Sequence, residues 1–238
     1  MEEQKRNNLT IPVAIVVAGV LIAGALFFTN KNKISAPVET TNKEQGGIKI
    51  EPVTTDDHIL GNPKAPIMIV EFSDTECPYC KNFHETMHKV IDTYGNTCKV
   101  AWVYRHFPID QLHPKARKEA EATECAAELG GNDIFWKYLD VIYKKTPSNN
   151  DLDASLLPQF AEDVGLDKVK FQTCLNSGKY ADKIEKSVQD AVAAGGRGTP
   201  YTVIITGHEK IPINEGAIPF SGGPVNMKLI LDDLVSKN

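Results

Sequence analysis

Pro66-Ile67-Met68-Ile69-Val70-Glu71-Phe72, then Ser73-Asp74-Thr75-Glu76, then Cys77-Pro78-Tyr79-Cys80: these fifteen residues decide the reading of the chain. The first seven form a short, β-rich apolar run, the pattern of a buried strand. After Cys77 the period changes. Phe83, Met87, Val90, Ile91 and Tyr94 recur at helical steps and share one face, and Gly95 is the expected stop. Cys98 to Tyr104 then alternates with Val100, Trp102 and Tyr104 on one side, which predicts a second strand. Two strands joined through a helix make a βαβ unit with parallel pairing. The two cysteines sit at its strand-to-helix turn.

That position gives the pair its chemistry. Pro78 suits the first helical position, where a missing N–H costs nothing. Cys77 then caps the helix, where free N–H groups and the positive end of the dipole stabilise a thiolate. Cys80, three residues on, shares that side and lies deeper. A thiolate is the nucleophile of disulfide exchange, so Cys77 is expected to attack and Cys80 to resolve. A structural disulfide or a metal site is the competing reading. Cys77, Cys80, His84 and His88 lie on one continuous helix over three turns, however, and cannot close a tetrahedron alone. His58, His106, His113 and His208 show no ligand spacing either, so neither a metal nor a cofactor is expected.

Downstream, residues 111 to about 195 carry a run of helical patterns: His113–Leu129, Ile134–Lys145, Leu156–Val164, Val169–Leu175 and Tyr180–Ala194. Lys183, Glu185, Lys186 and Asp190 read as the solvated face of the last of these. Strand character returns at Tyr201–Ile205, Gly207-His208 turns the chain, Lys210–Asn214 pairs back, and a final helix is expected over Val225–Val235. The order β-α-β, helices, β-β-α is an α/β domain with a helical insertion, because both flanks complete one sheet. Gly198-Thr199-Pro200 immediately precedes the returning strand. A proline there is outside the ladder, and a cis bond in a tight turn is its usual deliberate use.

Together these segments resemble the DsbA-like branch of the thioredoxin superfamily. The likeness is carried by Val70 to Cys80, by Arg105-His106-Phe107-Pro108, by the Ala-rich helix after His113-Pro114, and by Gly198-Thr199-Pro200; it runs from about Asp56 to the C-terminus. It implies a thioredoxin fold and a protein thiol–disulfide oxidoreductase, with Cys77–Cys80 as the redox-active disulfide. It implies that Pro200 is cis and lies against Cys77, and that Thr199 and Pro200, beside Pro78 and Tyr79, meet an extended substrate peptide. It also implies that Glu71, an acid within an apolar strand, relays protons to Cys80. Pro78-Tyr79 departs from the Pro-His of DsbA itself, which leaves the redox potential open. An oxidase of exported polypeptides, reoxidised by a membrane redox partner, is the leading expectation. A reductase or isomerase uses the same residues in reverse, and a metal-binding chaperone is the remaining alternative.

The N-terminal residues fit an exported role. Ile11 to Phe28 holds no charged side chain, and eighteen residues of helix span roughly 27 Å, close to a hydrocarbon core. The expected plan is a short cytoplasmic N-terminus (1–10), a transmembrane anchor (11–28), a flexible linker (29–52) and the catalytic domain (53–238) on the extracytoplasmic side of the cell membrane. A monomer is expected. With a net charge of -5 the 238-residue chain lacks the basic face that nucleic acid requires. Cys125 and Cys174 lie on predicted helices of the insertion and are plausible bridge partners in an oxidising compartment. Cys98 is expected to be a buried, inert thiol.

Overall fold

The computed structural model describes residues 47–237. The expected membrane anchor falls outside that range; among the described residues no helix is long and apolar enough to cross a membrane. A five-stranded sheet in the order β1-β3-β2-β4-β5 organises the chain. Its strands are β1 (His58–Gly61), β2 (Ile67–Ser73), β3 (Val100–His106), β4 (Tyr201–Thr206) and β5 (Glu209–Ile213). β2 pairs parallel with β3 and antiparallel with β4, and both edge strands pair antiparallel. Helix α1 (Pro78–Tyr94) makes the β2–β3 crossover. Helices α2 (Ala116–Gly130), α3 (Asn132–Lys145), α4 (Leu157–Asp163), α5 (Lys168–Ser177) and α6 (Ala181–Ala193) lie between β3 and β4, and α7 (Met227–Lys237) closes the domain. This is the thioredoxin fold with a helical insertion.

The pleat explains why β2 reads as an unbroken apolar run. It is flanked by strands on both sides and covered on both faces, so alternation disappears. Ile67 and Ile69 face α1, α3 and α7 in a core with Phe83, Met87, Trp102, Phe135 and Leu231. Val70 and Phe72 face the opposite way, packing with Val103, Ala191 and Val203. Glu71 shares its parity with Ile67 and Ile69, which puts its carboxylate under α1. The insertion builds its own core from Ala122, Tyr138, Ile142, Phe160 and Phe171. At the sheet edge, Pro212 in β5 is tolerated because no further strand needs its N–H. Gly207, at φ 56°, supplies the left-handed residue of the β4–β5 turn.

Five sequence expectations need correction. Strand β1 was not expected; four residues are too few to show a period, and pairing with β3 creates the strand. The flexible linker does not extend to residue 52: Ile50 is buried against Val70 and Phe72, and Glu51 N–H donates to Asp190 at 2.7 Å. Asp190 is not part of a solvated face. It is buried and pairs with Arg105 at 2.6 Å. Cys98 is exposed, not buried, because it caps the short turn that follows α1. Gly95 stays right-handed, a short 3-10 turn follows, and Cys98 takes the left-handed conformation at φ 57°. The last helix starts two residues later than expected, at Met227.

Arg105 ties the domain's start to its sheet and to α6. Its guanidinium also holds Asp57 at 2.7 Å and the carbonyls of Glu51 and Pro52. Removing one partner of a buried ion pair leaves the others uncompensated, a loss of about 3–5 kcal/mol. Arg105→Ala is therefore expected to destabilise the protein by that amount in urea unfolding. A loss under about 1 kcal/mol would mean that Asp57 and Asp190 rehydrate freely.

Candidate active site

Cys77 is the N-cap of α1, with an extended backbone (φ -77°, ψ 122°) and Pro78 in the first turn; no side chain caps the helix. The helix N–H groups are thus free to face the sulfur, and no carboxylate from the first turn competes for them. Across the site Thr199–Pro200 is cis. Its turn brings the Thr199 carbonyl within 3.4 Å of Cys77 Sγ, which donates to it while protonated. Cys77 keeps 6% of its surface and Cys80 none, so an incoming group meets Cys77 first.

The two sulfurs are pushed apart in acidity. The hydrogen bond from the Cys80 thiol lowers Cys77 most, with help from the Thr199 side chain and from the N–H groups of Cys80 and Tyr79; together they outweigh burial and bring it to about 6. Burial raises Cys80 well above an ordinary thiol, and the neighbouring Cys77 and Glu71 raise it further. Both thiols are free in this structure. The pair is therefore built for a state in which Cys77 is ionised and Cys80 carries the proton.

A buried carboxyl neighbours Cys80. Glu71 is fully buried, and loss of hydration lifts its carboxyl to about 7. Ser73 Oγ donates to Glu71 Oε1 at 2.6 Å and also reaches the Cys80 sulfur, so the hydroxyl stands between acid and thiol. Tyr143 OH lies 2.9 Å from Ser73 Oγ and 3.1 Å from Tyr104 OH, extending the network. Glu71 Oε2 makes no hydrogen bond of ordinary geometry, although the Trp102 indole is near enough to favour the ionised carboxylate.

The turn into α1 is fixed by other acids. Asp74 accepts from Glu76 N, Ile109 N and His113 Nδ1, all within 2.9 Å. Glu76 accepts from Thr146 Oγ1 and from the backbone of Asn150 and Leu152. Glu119, whose carboxyl is raised to about 8 chiefly by burial, accepts from Thr75 at 2.6 Å. None of these roles was visible in the sequence, since every partner except Glu76 N–H lies at least 35 positions away; an acid-rich stretch just before the cysteines was the only local signal. Tyr79 is exposed beside the pair, and a cleft of about 510 Å³ passes the cis turn, lined by Arg197, Gly198, Thr199, Pro200, Asn214 and Glu215. Cys125 and Cys174 form a disulfide (S–S 2.03 Å) between α2 and α5, away from this site. His84 and His88 turn to Asp140 instead of the cysteines.

A thioredoxin sheet, a helical insertion after β3 and a Cys-x-x-Cys pair facing a cis-proline turn define a DsbA-like thiol–disulfide oxidoreductase. The thioredoxin family profile matches residues 53–217, and the chain belongs to that family. Among solved structures it is similar to BdbD from Bacillus subtilis, with a TM-score of 0.65 at 20% identity over 80% of this chain and 97% of that one. It is also similar to DsbA2 of Pseudomonas aeruginosa, with a TM-score of 0.62 at 23% identity over 79% and 97%. A segment of 150 residues, 63% of the chain, is 34% identical to the Na(+)/H(+) antiporter NhaA 3 of Salinispora tropica; it spans only 22% of that protein.

The buried acid and the ionised thiol leave opposite marks on stability. Glu71 is raised in the native state, so the unfolded chain loses its proton first, and stability falls as pH rises from about 4.5 to about 7. Cys77 is lowered, so the native state loses its proton first, and stability of the reduced form rises from about 6 to about 9. Denaturant unfolding of the reduced protein is expected to show a shallower decline between about pH 5 and 7 in Glu71→Gln than in the natural sequence. Equal slopes would show that Glu71 ionises as freely when folded as when unfolded.

Proposed function

We propose that this protein is a membrane-anchored oxidase that introduces disulfides into exported polypeptides through Cys77 and Cys80. The observation that carries this reading is the opposed acidity of the two sulfurs: about 6 for Cys77, and well above the ordinary value for Cys80. A pair whose reduced form is stabilised by one ionised thiol gives up its disulfide readily, which makes it an oxidant.

In the oxidised enzyme, a substrate thiolate attacks Cys77 Sγ. The Cys77–Cys80 bond breaks, a mixed disulfide forms, and Cys80 leaves with the electron pair. Cys80 is a poor thiolate in its buried setting, so it takes a proton from Glu71 through the Ser73 hydroxyl. A second substrate thiolate then attacks the substrate sulfur of the mixed disulfide. Cys77 departs as the stabilised thiolate, the substrate leaves with its new disulfide, and the enzyme holds two more electrons than before. Thr199 and Pro200 offer backbone to the substrate segment beside the cleft, and exposed Tyr79 and Pro78 shape the approach. A membrane redox partner withdraws the two electrons and restores the disulfide.

Residues 11–28 would hold the domain at the cell membrane on its extracytoplasmic side, with residues 1–10 in the cytoplasm and a linker after the anchor. The apolar run itself supports that arrangement, as does the likeness to part of an antiporter, a protein that works across a membrane. The enzyme acts as a monomer on reduced or misoxidised polypeptides.

The test is oxidation of a reduced, unfolded protein by the full chain. Cys77→Ser and Cys80→Ser are each expected to abolish it, and Cys80→Ser to trap covalent mixed disulfides when its free Cys77 meets a polypeptide that already carries a disulfide. Glu71→Gln should slow formation of the mixed disulfide about 100-fold while leaving its resolution by the second substrate thiol nearly unchanged. The reduction potential of the pair is expected nearer about -120 mV than about -270 mV. A value at the lower end would make the protein a reductase, and activity surviving in Cys77→Ser would remove the pair from the chemistry.

A further inference from the structure

Helix α1 continues beyond the cysteines and carries two histidines, His84 and His88, one turn apart. Asp140 of α3 lies between them. Its Oδ1 is 2.8 Å from His84 Nε2 and 2.9 Å from His88 Nε2, and the two nitrogens are 3.1 Å from each other. Three ligating atoms thus form a nearly equilateral triangle. Protons alone satisfy this poorly. One nitrogen can donate to the other across 3.1 Å, but the accepting nitrogen then turns a bare lone pair on Asp140 Oδ1, and if both donate to Oδ1 the two nitrogens crowd each other with nothing between them; no placement of protons serves all three contacts. A divalent ion resolves the conflict by drawing all three atoms to one point. With bonds of about 2.0–2.1 Å to zinc, tetrahedral donors stand about 3.3 Å apart, so the triangle needs to open by only a few tenths of an ångström.

The surroundings favour an ion further. Trp102 packs edge-on against both rings, at 5.2 and 5.5 Å between centroids, and Tyr143 packs on His84 at 4.5 Å, so neither ring has to be ordered on binding. His88 and Asp140 are partly open, at 36% and 44% side-chain exposure, in a depression that also holds Glu85. An ion can enter, keep a water as fourth ligand and gain a further carboxylate nearby. Lys81, on the same depression, spends its ammonium on the Thr146 carbonyl at 2.6 Å.

A second triad, His58, His106 and Glu124, looks alike but is already satisfied. Glu124 Oε2 binds Lys183 Nζ at 2.6 Å, and the His58 ring is stacked on Phe135 with centroids 3.5 Å apart. The chain's own ammonium already supplies a positive charge to that carboxylate.

We propose that His84, His88 and Asp140 form a zinc site that staples the active-site helix to the helical insertion. Two imidazoles and a carboxylate with an open position suit zinc among the common divalent ions, whereas calcium and magnesium prefer all-oxygen shells. The site has one weakness that sets its strength. His84 Nδ1 is buried without a partner, so that ring lacks the outer hydrogen bond that strengthens a ligating imidazole. Affinity is therefore about 10–100-fold below that of a site with a complete outer shell. The proposal does not depend on the direction of disulfide exchange.

The experiment uses the full chain with Cys77–Cys80 oxidised and Cys98 alkylated, so that no free thiolate can bind metal. Zinc is titrated by calorimetry, and cobalt(II) absorption reports the coordination geometry. One zinc per chain, a tetrahedral cobalt spectrum and a raised Tm are expected. His88→Gln and Asp140→Asn, both at partly open positions, should each weaken binding at least about 10-fold, while His58→Gln leaves it intact. The proposal is overturned if the oxidised chain shows no saturable binding. It is equally overturned if both variants bind as the natural sequence does, or if His58→Gln is the change that abolishes binding.

Discussion

A single sulfur placed at the open end of a helix is the constraint around which the rest of this protein is arranged. Cys77 caps α1 with no side chain competing for the first N–H groups. The cis turn at Thr199–Pro200, at the head of the neighbouring strand β4, closes over it. To hold that geometry the chain fixes the preceding turn with Asp74 and Glu76, both buried and both saturated by donors from distant segments. Charge is tolerated so close to a thiolate because those carboxylates spend their lone pairs on backbone and side-chain donors.

The second sulfur lives in an opposite environment. Cys80 has no exposed surface, and besides Cys77 it faces a carboxyl that burial has made a weak acid. Two chemically identical side chains therefore take different roles by placement alone. The pleat of β2 puts Glu71 under α1, two residues of strand bring Ser73 to the same face, and Tyr143 from the insertion completes the hydroxyl chain. In this way the insertion is part of the active site and more than an appendage to the thioredoxin frame.

Much of this was legible in sequence because it is local. The strand-turn-helix context of Cys77 and Cys80, the helical block and the Gly198-Thr199-Pro200 turn are each written in a dozen residues or fewer. Periodicity exposes such elements directly. What escaped was non-local. β1 exists only through its pairing with β3, and Ile50 is ordered only because Val70 and Phe72 await it. Asp190 looked like surface on its own helix and became buried when Arg105 arrived from β3. His84 and His88 seemed unable to form a site because the third ligating atom comes from α3, 52 positions beyond His88. Spacing along one helix carries no information about a carboxylate on another.

The claim on which everything rests is the ionisation of one thiol. It is measured most directly by following the ultraviolet thiolate absorbance of the reduced full chain against pH, with Cys98 alkylated and Cys77→Ser as the blank. The account predicts that one thiolate, absent from the blank, forms with a midpoint near 6. A midpoint at about 8.5, the value of an unassisted cysteine, would contradict it.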